Sequence, residues 1–214
     1  MSQQDRIKIA KRIAKELPDG ASINLGVGIP TLIPDYLGDK KVDLHSENGL
    51  LGMGPTPDEE NINMDLISAS KKPITMDAGA SLFDSSDSFV MIRGGHIDVA
   101  VMGALQIDQH GKIANWAIPG KDILGVGGAM DLVAGAKKII IASSHTAKDG
   151  TPKLVSELTF PSSGNGRADM LVTEHAVLKF TEDGPYLVEQ LSDLSADDLR
   201  KITGADFTYD AAIK

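Results

Sequence analysis

Ile97-Asp98-Val99-Ala100-Val101-Met102-Gly103 is the stretch that decides the fold class. Beyond Asp98 it carries no polar side chain. A strand with one wet face alternates apolar and polar residues, so an unbroken apolar strand belongs to a sheet covered on both faces. Lys138-Ile139-Ile140-Ile141-Ala142 has the same character. Outward from these runs the spacing changes. Ile7, Ala10, Ile13, Ala14 and Leu17 recur at helical intervals, and Pro18-Asp19-Gly20 ends that helix. Ser22 to Leu25 reads as a buried strand, followed by a helix from about Thr31 to Leu37. Lys41 to Leu44 reads as a second strand, and a short one is expected near Ile74 to Asp77. Ser86 to Arg93 reads as a helix closed by Gly94-Gly95, and Gly128 to Ala134 as a helix start. Met170 to Thr173, Val177 to Phe180 and Tyr186 to Glu189 read as short strands, and Ser195 caps a last helix running to about Thr203. This order predicts an α/β fold in one domain over residues 1–214, an open mixed sheet with helices on both faces.

Composition narrows the function. The 214 residues carry a formal charge of −9, which makes nucleic acid and anionic membranes poor partners. With no cysteine there can be no disulfide, thiolate metal site or cysteine nucleophile. His45, His96, His110, His145 and His175 show no metal-ligand spacing, so no metal site is expected. No run approaches the roughly 18 apolar residues of a membrane span. The charged segment Met1 to Leu17 lacks the apolar core of a signal peptide, so a cytoplasmic location is expected.

Three segments could carry chemistry. Glu47 falls just past a predicted strand, where open α/β sheets place their ligands. Taken alone beside Asn48-Gly49 it reads first as a solvated acid next to a hairpin turn. Gly49, Gly52, Gly54, Pro55 and Pro57 follow closely. An ordinary hairpin would return at once into a strand; this continuation instead suits a backbone that lets a substrate approach. A carboxylate there can attack an acyl group and split one hard transfer into two easier ones. Gly125-Val126-Gly127-Gly128-Ala129-Met130 leads into a helix and could hold an oxyanion or phosphate, or simply pack a turn. Gly26-Val27-Gly28-Ile29-Pro30 follows a strand but lacks the third glycine of a dinucleotide fingerprint. Asn24 could bond a ligand or close a turn, and Lys71-Lys72 could meet an acidic ligand or be a solvated pair. His45 shares a strand face with Glu47 if the strand reaches that far.

Taken together, these segments resemble the beta subunit of the family I, 3-oxoacid-type CoA-transferases along nearly the whole chain. The resemblance rests on Asn24-Leu25-Gly26-Val27-Gly28-Ile29-Pro30 and on Ser46-Glu47-Asn48-Gly49 with Gly52, Gly54 and Pro55. It continues through Phe89 to His96, Ala114-Asn115-Trp116, Ile118-Pro119-Gly120-Lys121 and Gly127 to Leu132. It implies that Glu47 attacks an acyl-CoA thioester and becomes a glutamyl-CoA thioester, with Gly128 as backbone oxyanion donor. It places CoA contacts on Asn24 and Lys71, with Gly26, Gly28 and Gly127 completing the expected CoA-binding set. CoA and acyl-CoA are then substrates, and no permanently bound cofactor is implied. The fold implied is the one these transferases share with ribose-phosphate and glucosamine-phosphate isomerases. A partner alpha subunit is also implied, in an α2β2 hetero-oligomer, and the chain alone should be inactive. Two segments depart from the family pattern: Ser144 stands where many relatives have a glutamate, and Ser162 to Arg167 is idiosyncratic. Two other readings remain: a sugar-phosphate isomerase or sensor on the same fold, in which Glu47 is a base, and a non-catalytic scaffold subunit.

Overall fold

The structure, a computed structural model, describes residues 1–123 and 125–210. The chain opens with α1 (Gln3–Glu16), started by a reciprocal pair between Ser2 and Asp5. It continues through β1 (Ser22–Leu25), a 3-10 helix (Ile29–Tyr36), β2 (Asp43–Ser46), β3 (Leu50–Met53) and β4 (Met76–Leu82). Next come α2 (Ser85–Arg93), β5 (Val99–Met102), β6 (Gln106–Asp108), β7 (Ile113–Ala114), α3 (Ala129–Gly135) and β8 (Lys138–Ala142). The remainder holds β9 (Leu154–Val155), β10 (Met170–Val172), β11 (Ala176–Thr181), β12 (Gly184–Gln190), α4 (Ala196–Lys201) and β13 (Thr208–Tyr209).

Ten strands form one sheet in the order β13-β12-β11-β10-β8-β5-β1-β2-β3-β4. Its centre, β10-β8-β5-β1-β2, is parallel. β2-β3-β4 on one flank and β10-β11-β12 on the other are antiparallel, so the sheet is mixed. All four residues of β5 are buried, as an apolar run without alternation requires. Val99 and Val101 pack with Ile9, Ile13 and Leu17 of the α1 region and with Ile29 and Ile33 of the 3-10 helix. Ala100 and Met102, pointing the other way, pack with Ile92 of α2, Leu132 and Val133 of α3 and Leu199 near the end of α4. Helices therefore cover both faces.

Three local expectations are corrected. The helix expected at Thr31 to Leu37 is 3-10 and starts earlier; Pro30 and Pro34 lie within it, and Pro34 lacks the N–H an α-helix interior needs. β2 begins at Asp43 rather than Lys41. Lys40 instead caps α1, its Nζ donating to the carbonyls of Ala14 and Leu17, and the Lys41 N–H is taken by Asp19. The glycine-rich continuation after Glu47 does not stay open: it returns at once into β3, paired antiparallel with β2. Gly52 sits in that strand at φ +85°, where the register with β4 shifts. The three-stranded sheet β7-β6-β9 had no sequence signal, because strands of two or three residues are too short to show a period.

Candidate active site

β1 winds to β2 on one side while β5 lies on its other side, so the chain changes winding direction at β1. Ligands of open α/β sheets bind at the carboxyl ends of the strands around such a switch point. Glu47 immediately follows the last residue of β2. Asn24 of β1 stands beside His45 of β2 in register. The Asn24 Nδ2 donates to Glu47 Oε2 at 3.1 Å. Asn24 is only 1% exposed, so this donor is fixed by the core, while the carboxylate it holds is half-buried at the surface.

The neighbours of Glu47 anchor the turn. Ser46 Oγ accepts from the Ala69 N–H at 2.9 Å, and Asn48 Nδ2 donates to the Ile67 carbonyl at 2.7 Å. Both bonds reach the hairpin closed by the Ile67–Pro73 bridge. The Gly49 N–H closes the turn on the Ser46 carbonyl at 3.0 Å. Only glycine fits there, because φ is +121° and a Cβ would run into the Phe83 carbonyl. Gly128 caps α3 beside the same carboxylate: a Cβ on it would lie 3.5 Å from Glu47 Cγ and 3.4 Å from the Phe89 ring.

A cleft of about 810 Å³ opens at Glu47, with Gly26, Gly54, Ser68 and Lys72 in its wall. Asn24, Gly26, Glu47 and Gly128 are therefore brought together. Lys71 stands next to Lys72, exposed and in the left-handed region at φ +62°. Gly28 and Gly127 are exposed turn glycines at φ +98° and +54°.

His45 does share the site, but through Asn24: its Nδ1 lies 3.2 Å from Asn24 Nδ2. Its Nε2 lies 2.9 Å from Ser88 Oγ on α2. Burial lowers the His45 pKa, and the Glu47 charge partly opposes this. Sequence reasoning missed Ser88 and Phe89. Both fell on an expected helix, yet nothing in their spacing pointed across the fold to residues 45 and 128. The departing segment at Ser144 is tied to a second buried group. His145 binds the hydroxyls of Thr173 at 3.1 Å and Thr203 at 2.8 Å, and its N–H donates to Glu174 at 2.9 Å.

A carboxylate clamped by a buried amide, beside a glycine at a helix start and lining a cleft, has the geometry to attack an acyl group. The chain belongs to the coenzyme A transferase family, whose model matches residues 6–200. Among its relatives is one subunit, of the beta type, of the succinyl-CoA:3-ketoacid coenzyme A transferase of Helicobacter pylori, 46% identical over 94% of this chain and 98% of that one. The corresponding subunit of the 3-oxoadipate CoA-transferase of Pseudomonas putida is also 46% identical, over 93% of this chain and 94% of that one. Among solved structures, an acyl-CoA transferase of Escherichia coli O157:H7, in a thioester complex with CoA, superposes with a TM-score of 0.74 at 25% identity. That match covers 98% of this chain and 42% of the longer one. Family membership decides against the sugar-phosphate reading. Among the described residues, no helix is long and apolar enough to cross a membrane.

Proposed function

We propose that this chain is the catalytic beta subunit of a CoA-transferase that moves CoA from an acyl-CoA such as succinyl-CoA or acetyl-CoA to a 3-oxoacid or short-chain acid acceptor such as acetoacetate. One observation carries the assignment of the nucleophile: Glu47, held by Asn24 at 3.1 Å, lines the cleft. A Glu47 oxygen attacks the thioester carbonyl, the C–S bond breaks, and CoA thiolate leaves an acyl-glutamyl anhydride. The thiolate then attacks the glutamyl carbonyl, expelling the donor acid and leaving a glutamyl-CoA thioester. The acceptor carboxylate runs the two steps in reverse. The Gly128 N–H is assigned to the developing oxyanion. Asn24, Gly26, Gly28, Lys71 and Gly127 are assigned to CoA, the two lysines of the hairpin tip supplying local positive charge on an acidic chain. A carboxylate is a weak nucleophile, so binding energy from the remote parts of CoA must drive the chemistry.

The relatives that match along nearly their whole length are each one subunit of their enzyme, which supports an alpha-type partner, and we assign an α2β2 assembly in the cytoplasm. A single domain over 1–214 is supported by the main sheet, which draws strands from Ser22 to Tyr209. In the assembled enzyme, Glu47→Ala is expected to abolish transfer. Glu47→Asp withdraws the carboxylate by about one ångström and should cost on the order of 100-fold in kcat. Full activity in Glu47→Ala would leave the chain a scaffold.

A further inference from the structure

We propose that His45 is a positioning residue: its neutral ring, fixed by Ser88, accepts one hydrogen of the Asn24 amide and so aims the other at Glu47. Protonation of His45 then disconnects the nucleophile. This deepens, and rests on, the reading of Glu47 as nucleophile.

An amide nitrogen has two hydrogens and accepts none. Asn24 Nδ2 lies 3.1 Å from Glu47 Oε2 and 3.2 Å from His45 Nδ1, with the His45 backbone carbonyl a longer contact at 3.4 Å. A hydrogen on Nδ1 at 3.2 Å would face the amide donor to donor, so Nδ1 is taken as the bare nitrogen and the ring proton as sitting on Nε2, where Ser88 Oγ accepts it at 2.9 Å. Ser88 is fully buried, so this partner is fixed. The opposite amide orientation would set Asn24 Oδ1 against the Glu47 carboxylate, acceptor to acceptor. The orientation adopted leaves Asn24 Oδ1 buried without a hydrogen-bond partner among the described residues, which carries a cost. Glu47 and neutral His45 together hold the amide against that cost. A proton on His45 Nδ1 meets the amide donor to donor: Asn24 Nδ2 loses that acceptor and is pushed from its place, and Glu47 loses the aim of its donor.

The surroundings of His45 define its titration. Asn24 faces it from β1, Ser88 from α2 and Leu51 from β3, and the Phe83 ring stacks on it at 6.2 Å. The cleft it helps to line also carries Asp35, Lys40, Lys41, Asp43, Lys72 and Asp77. Of the charges, Glu47 is the one that bears on it, and burial outweighs Glu47, so the ring stays neutral to below the ordinary value of 6.5.

The test uses the assembled enzyme with succinyl-CoA and acetoacetate, measuring kcat from about pH 5 to 8. His45→Gln can accept from Asn24 and donate to Ser88, but it does not titrate. It should retain more of the neutral-pH kcat than His45→Leu and lose the part of the acid limb due to His45. His45→Leu should lose about 10-fold or more in kcat with little change in KM. Superimposable wild-type and His45→Gln profiles, or full kcat in His45→Leu, would overturn the proposal. Imidazole nitrogen NMR of the full chain gives a readout independent of activity. The Nε2–H form is expected, and an Nδ1–H form would also overturn the proposal. An active Glu47→Ala enzyme would instead remove the nucleophile reading while leaving the NMR result to judge the geometry.

Discussion

A Cβ at residue 49 would run into the carbonyl of Phe83, in a backbone conformation of φ +121° that side chains rarely adopt. Gly49→Ala is therefore expected to cost at least about 2 kcal/mol in urea unfolding and to displace Glu47; a variant as stable as wild type would contradict this. Asn24 has a different role. Asn24→Ala deletes the donor to Glu47 and should lower kcat on the order of 100-fold with the fold retained, as judged by circular dichroism. Asn24→Asp should be worse, because it sets a second carboxylate against the first. At this scale the motif residues were legible in the sequence. Ser88 was not, because it meets His45 across 43 positions of chain, a contact only the tertiary fold creates.

Elements place these residues. β5 and β8 were legible because their burial on both faces suppresses alternation. The turn after β2 was misread, because a run of glycines and prolines looks like an open loop. It is in fact a hairpin whose strand carries Gly52 at φ +85°. The far side of the sheet joins elements through His145, which links the end of β8 to Thr173 after β10 and to Thr203 after α4. Burial, with a smaller contribution from His175, lowers the His145 pKa from 6.5 to about 4. Between these values the unfolded chain binds the proton and the folded chain does not. The stability this confers is fully present above pH 6.5 and is lost as pH falls toward about 4. A shift of this size is worth about 3 kcal/mol. Urea unfolding at neutral and acid pH should show a steeper loss for wild type than for His145→Gln; equal slopes would contradict this.

For the whole molecule, the sheet order puts the carboxyl ends of β1, β2 and β5 together at the winding switch, so fold and site have one origin. The fold class was legible from periodicity, and the family from motifs in their order along the chain. The contacts that complete the site, such as Ser88 on His45, were not legible, because only the tertiary fold brings them together. The purified chain alone is expected to show no transfer from succinyl-CoA to acetoacetate, with activity restored on adding an alpha-type partner. Full activity of the chain alone would contradict the heteromeric account.

The most direct test of Glu47 is covalent. The assembled enzyme is incubated with acyl-CoA in the absence of acceptor, treated with borohydride, digested and read by mass spectrometry. The peptide spanning Ser46-Glu47-Asn48-Gly49 should carry a reduced carboxyl at Glu47 only after acyl-CoA exposure. A catalytically competent complex in which Glu47 stays unmodified, or in which another carboxylate is reduced instead, would contradict the account.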